Sequence, residues 1–161
     1  MAHMIRAIIG KDAVIQSITE HWVYAEMIKL PQDYAFIFLN DSLFDDIEEL
    51  YDLENTHDYP HLNFLTDSVI DFLKDNSIGA QLVYVETDYF GGYGIQSGVL
   101  FDNGEMKCEP MYGDGTVNHL LSLLGVRKQL LKDEFDSLEL YKYRRMELSR
   151  NVQSENTQNH G

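Results

Sequence analysis

A chain of 161 residues that is 44% hydrophobic is long enough to bury one sizeable core and short of what two independent cores need. It holds 27 Asp and Glu against 12 Lys and Arg, for a formal net charge of -15. A field of that sign repels nucleic-acid phosphates and anionic membranes, both of which are gripped through Lys and Arg, so it excludes nucleic acid as a direct ligand and favours a basic protein as partner. No stretch approaches the ~20 apolar residues of a membrane span, and the opening Met1-Ala-His-Met-Ile-Arg6 lacks the long apolar segment of a signal peptide. These features predict a cytoplasmic protein that does not bind membranes. Cys108 is the single cysteine, which precludes an internal disulfide and reads as a packed or idle side chain rather than a nucleophile.

The repeated methionine suggests a domain start at Met4, and the folded domain is expected over 4–147. Ile5–Ile9, apolar and β-branched, reads as a strand. Val14, Ile15, Ile18 and Trp22 then recur at helical spacing behind Asp12 as the expected cap. Strands follow at Ala25–Leu30 and Tyr34–Leu39, separated by a turn at Pro31-Gln-Asp33. Ser42 with Asp45 three residues on resembles a capping box, and Leu43, Ile47, Leu50 and Tyr51 make an apolar face that leaves the acids of this helix mostly on the wet side. A third helix is expected from Thr66, with Leu65, Val69, Phe72 and Leu73 as its stripe and an end before Gly79.

The second half opens with a strand at Ala80–Thr87 that ends at Gly91-Gly92, followed by another at Gly94–Phe101. Asn103-Gly104 suits the positive φ angles of a type I′ turn, so Glu105–Glu109 should pair back until Pro110 interrupts the ladder. Thr116 is the expected cap of a helix carrying Val117, Leu120, Leu121 and Leu124, with Gly125 as its stop. A last helical stretch is expected near Asp133–Arg150, and 148–161, almost without apolar residues, reads as a disordered tail. Together these elements predict a single α+β domain: a mainly antiparallel sheet covered by about four helices.

Charge is distributed unevenly. Residues 1–126 hold 21 acids against 5 bases, whereas 127–150 hold 7 bases against 5 acids. Between Leu30 and Leu73 stand eleven acids and no base. A block of like charge repels itself, so it is either a solvated helix face or a surface whose field is used by a basic partner. On the second reading Asp45, Asp46, Glu48, Glu49, Asp52 and Glu54 are the candidate contacts, with Asp58 beside them. Asp88, Tyr89 and Tyr93 form a second flank, where aromatic rings beside an acid give the rigid amphipathic area found at interface anchors.

The same loop, Thr87-Asp-Tyr-Phe-Gly-Gly-Tyr-Gly94, is a poor phosphate cradle. It has no Lys and is followed by a β-rich stretch instead of a helix, so it reads as a tight or bulged strand connection. In His57-Asp-Tyr-Pro-His61 the proline prevents a helical i, i+4 metal pair, and the segment reads as a polar loop. His21 reads as a helix-end or partly buried histidine. No nucleophile with an adjacent base can be named, so no catalytic residue, metal or cofactor is expected.

Four stretches carry a resemblance: Tyr34–Ile47 with its Asn40-Asp-Ser-Leu-Phe-Asp-Asp-Ile47, Glu86–Phe101 with its glycine loop, Val117–Val126, and Lys132–Leu140. Together they resemble small acidic bacterial immunity proteins of polymorphic or contact-dependent toxin systems, over about residues 34–147. The resemblance implies a one-domain α+β inhibitor that binds a cognate toxin and carries no catalytic residues. Combined with the acidic surface, it leads to the expectation of a non-enzymatic protein that occupies the basic substrate groove of a toxin, expected to be a nuclease. The basic stretch Lys142-Tyr-Arg-Arg145 departs from a uniformly acidic surface. Two other classes stay open: a small-ligand or metal-binding enzyme built on the glycine loop and His57–His61, and an adaptor subunit that self-associates through a sheet edge.

Overall fold

In the computed structural model, which describes residues 3–90, 93–129 and 132–143, seven strands form one antiparallel sheet. They are β1 (His3–Lys11), β2 (Met27–Lys29), β3 (Tyr34–Phe38), β4 (Gln81–Phe90), β5 (Tyr93–Asp102), β6 (Glu105–Met106) and β7 (Met111–Tyr112). The order is β2-β3-β1-β4-β5-β6, with β7 also pairing on β5. The helices are α1 (Asp12–His21), α2 (Asp41–Tyr51), α3 (Asp67–Asn76), α4 (Thr116–Leu124) and the single turn α5 (Glu134–Ser137).

Side chains alternate across the sheet, and the two faces are both covered. Ile8, Ile37, Leu82, Tyr84, Val99 and Phe101 pack under the buried residues of α1, α2 and α3. On the other face Ala7, Ile9, Phe36, Val83, Val85 and Leu100 pack under Val117, Leu120, Leu121 and Leu124 of α4 and under Leu138 and Leu140. The central strands are therefore apolar at almost every position, and β3 is buried along its whole length. The chain is thus one α+β domain with an antiparallel sheet, as its periodicity predicts.

Several local expectations are corrected. Asp12 does not cap α1: the N-cap is Lys11, without a side-chain bond, and Asp12 instead meets Lys29 at 3.3 Å. The cap of α2 is Asn40, whose Oδ1 accepts from the Leu43 amide at 2.8 Å, so Ser42 lies inside the helix. Gly115 precedes α4, and the Thr116 hydroxyl turns back to the Gly113 carbonyl. Leu50, assigned to the apolar face of α2, is 71% exposed. The strand expected over Glu105–Glu109 pairs only at Glu105–Met106, and the ladder resumes beyond Pro110 as β7, which the sequence reading missed. Of the expected C-terminal helix the described residues show α5 and a 3₁₀ turn at Leu140–Lys142; the rest, and the expected tail at 148–161, lie outside them. His3, placed before the expected domain start, already pairs with Tyr89.

One glycine fixes the distance between sheet and helix. A Cβ at Gly98 would stand 2.6 Å from Leu120 Cδ1 and 2.7 Å from the Tyr84 carbonyl oxygen, closer than either contact tolerates. Gly98→Ala must shift β5 against the Tyr84 carbonyl of β4 and displace the Leu120 side chain of α4, and it is expected to cost ~1–3 kcal/mol, the usual range for overpacking a core. Urea denaturation of the variant checks this; an unchanged midpoint would contradict it.

Candidate functional site

Most of the carboxylates singled out in the sequence belong to α2 and the connection that follows it. Asp45 and Glu49 are exposed along α2, Asp46 and Glu48 are half-buried, and Asp52, the left-handed C-cap of α2, begins an exposed connection with Glu54 and Asp58. Among the described residues the side chains of Asp45, Asp46, Glu49, Asp52, Glu54 and Asp58 make no ion pair or hydrogen bond. Glu48 is the exception: its Oε1 accepts the Thr66 hydroxyl, which also caps α3 by accepting from the Val69 amide. Exposed apolar groups lie among these acids. Leu50 is 71% exposed and Leu53 41%. The α1–β2 connection runs alongside α2: the Tyr24 carbonyl accepts from Asn40, and Trp22 stacks on Tyr51 with ring centroids 6.4 Å apart. It presents Val23, which is 81% exposed.

Asp88 is two residues beyond Glu86 on β4, so it falls on the sheet face that α1–α3 cover, and it is exposed. Tyr89 and Tyr93 belong to the paired ends of β4 and β5, with Phe90 opposite Tyr93; their side chains lie outside the described residues, as does the Gly91-Gly92 pair.

Sequence reasoning missed a polar row beneath this surface. Arg6, Glu86 and Ser97 are direct partners across β1, β4 and β5, and all three are buried. The Glu86 carboxylate accepts the amides of Asn63 at 3.1 Å and Phe64 at 3.0 Å and the Tyr84 hydroxyl at 2.7 Å. Arg6 turns away from it: Nη2 donates to Asp41 Oδ1 at 3.0 Å, and the guanidinium lies 3.9 Å from the centroid of the Phe64 ring. Arg6 Nε and Ser97 Oγ, on the two sides of Glu86, have no hydrogen-bond partner among the described residues. A carboxylate that receives two successive backbone amides from a loop can anchor that loop.

The outer part of the same loop is tied to the start of α3. His57 Nδ1 meets Asp67 Oδ1 at 2.8 Å, Thr56 donates to Asp67 Oδ2 at 2.6 Å, and His57 stacks on Tyr59. His61 packs instead against Tyr112, and no cluster of His, Cys, Asp and Glu suited to a metal occurs among the described residues. A shallow, open depression lined by Lys11, Asp12, Gln16, Lys29 and Asp33 includes neither histidine. No helix among the described residues is long and apolar enough to cross a membrane.

Two carboxyls titrate in opposite senses. The Thr56 hydroxyl, then His57, hold Asp67 below the usual carboxylate range, so the stability this supplies is present above that range and is lost as pH falls through the lowered value. Burial raises Glu86, against the pull of Tyr84, the two loop amides and Arg6. The fold therefore favours neutral Glu86, and stability falls as pH rises from the ordinary glutamate value through the raised one. Glu86→Gln removes that slope alone. The stability of the variant minus that of wild type is expected to be larger at about pH 7 than at about pH 4. Urea denaturation at both pH values tests this, and an equal difference at the two would contradict it.

No protein-family model matches the chain, and neither a curated protein nor a solved structure matches it. The functional reading therefore rests on the residues themselves.

Proposed function

We propose that this chain is a non-enzymatic binding protein of the immunity type, acting in the cytoplasm, which neutralises a basic toxin through the surface formed by α2 and the connection that follows it. The observation that carries the reading is the set of carboxylates at Asp45, Asp46, Glu49, Asp52, Glu54 and Asp58. Among the described residues they have no cationic partner, and the exposed side chains of Leu50 and Leu53 stand between them in sequence. Holding that much like charge on one helix and the connection after it opposes folding and favours capture of an opposite surface. Apolar side chains set inside a charged rim match the anatomy of a protein interface. A nuclease is the partner class that suits it best, because the groove that binds nucleic acid is lined with Lys and Arg, and covering it excludes the substrate.

Paired capture tests the reading. Wild type and the variant Asp45→Lys/Asp46→Lys/Glu49→Lys are immobilised side by side, exposed to the same lysate of the organism that makes the chain, and washed at rising salt. The expected result is a basic protein with nuclease activity that wild type retains, that salt releases, that the reversed chain does not retain, and that loses activity when wild type is added. Retention of the same proteins by both baits would overturn the proposal.

A further inference from the structure

The polar row beneath the acidic surface touches both halves of that surface. The 52–66 connection carries Asp52, Glu54 and Asp58, and its inner limb hangs from the sheet through the two amides on Glu86. The start of α2 is held through Asp41 by Arg6, the cross-strand partner of Glu86, and the Arg6 guanidinium also lies over the ring of Phe64 in the same limb. Leu62 and Leu65, on either side of that limb, are buried in the core under α2 and α3.

This arrangement is unusual for two opposite charges facing each other on neighbouring strands. The direct pairing open to Arg6 and Glu86 is not taken: each is engaged with a different part of the surface segment, and Arg6 Nε is left buried and unpartnered. A buried carboxylate and a buried guanidinium are expensive to keep in a core. Packing the sheet does not require them, since an apolar pair of similar volume would fill the same row. What they supply is direction: a carboxylate that accepts from two successive backbone amides fixes where that backbone runs.

We propose that Glu86 is a positioning residue for the docking surface: its carboxylate sets the inner limb of the 52–66 connection on the sheet, while Arg6 sets the start of α2 from the same row. The inference rests on the reading of that surface as the docking site. The partner it positions the surface for is a cationic, partly apolar protein segment, matching the acids and the exposed Leu50 and Leu53.

Glu86→Gln tests the assignment. The amide side chain keeps the volume of the carboxyl but presents one acceptor in place of two oxygens, so one of its three donors loses its partner. Two readouts are taken on the folded chain. The first is hydrogen exchange at the Asn63 and Phe64 amides, with the β4 and β5 amides as the internal standard for global stability. The second is the binding kinetics of a helical leucine–lysine peptide, used as a cationic, apolar probe, against wild type, Glu86→Gln and the triple charge reversal of α2.

The expected result is faster exchange at residues 63 and 64, by about tenfold or more, with the strands still protected. The peptide should then dissociate about three- to tenfold faster while its association rate is unchanged, because the surface field is intact and only the ordering of the loop is lost. A role confined to stability would lower the fraction of folded chain and leave the dissociation rate of that fraction alone. Phe64→Ala, which removes the ring under Arg6 and leaves Glu86 in place, is expected to act in the same direction and replaces Glu86→Gln should that variant not fold.

Unchanged exchange at residues 63 and 64 would overturn the proposal. So would faster exchange with unchanged dissociation, provided the triple reversal still abolishes binding; in that case the docking reading survives without Glu86. Equal peptide binding by the triple reversal would instead overturn the docking reading itself, and the positioning role with it.

Discussion

Phe72→Ala is expected to remove about 3–5 kcal/mol of stability, the range for truncating a fully buried phenylalanine. Phe72, on α3, has no exposed surface and lies in the core cluster that also holds Ile15 and Ile18 of α1 and Leu43 and Ile47 of α2. Its ring is edge-on to Trp22 at 4.9 Å, and Trp22 in turn stacks on Tyr51, the last residue of α2. Truncation opens a cavity beside Trp22 in a close-packed core, which relaxes only in part. For a domain whose total stability is of the order of 5–15 kcal/mol, this is about a fifth or more of the margin. Urea denaturation followed by the fluorescence of Trp22, the single tryptophan, measures it. A loss below about 1 kcal/mol would contradict this and show that the core collapses onto the gap.

The elements that were legible in the sequence are those whose signals are local. Thr66 followed by Val69, Phe72 and Leu73 announces α3 because the cap and the buried stripe lie within one helix. Asn103 and Gly104 take the positive φ angles, 50 and 81 degrees, that their residue types suit, so the β5–β6 turn could be read directly. Gly125 ends α4 in the left-handed conformation for the same reason. Caps were misassigned where several competent residues follow one another: in Asn40-Asp41-Ser42 the choice depends on the angle at which β3 delivers the chain, which no local pattern encodes.

The site was legible only in part. Charge composition marked α2, but the exposure of Leu50 could not be read, since its helical phase from Ile47 fits the buried stripe and only the lie of α2 on the sheet decides which edge of that stripe stays wet. Glu86 was invisible for a different reason. Within Gln81–Phe90 it reads as one more polar residue of an alternating strand, and its burial follows from a loop and an arginine brought over it by strand pairing between distant parts of the chain.

The second large effect concerns association. Asp45, Asp46 and Glu49 have side chains without partners among the described residues, so reversing them removes no contact that holds the fold; it also relieves repulsion among neighbouring acids. Thermal stability should therefore stay within about 0.5 kcal/mol of wild type. Association with a basic partner should slow by about tenfold or more, because steering by complementary fields accounts for up to 10–10³-fold in rate. The most direct measurement is the association rate constant of the protein recovered by wild type in the paired capture, taken for wild type and the triple variant across a range of ionic strength. A steep fall with salt for wild type and a slower, nearly flat dependence for the variant is the predicted result; equal rates and equal salt slopes for the two chains would contradict the assignment of α2 as the docking face.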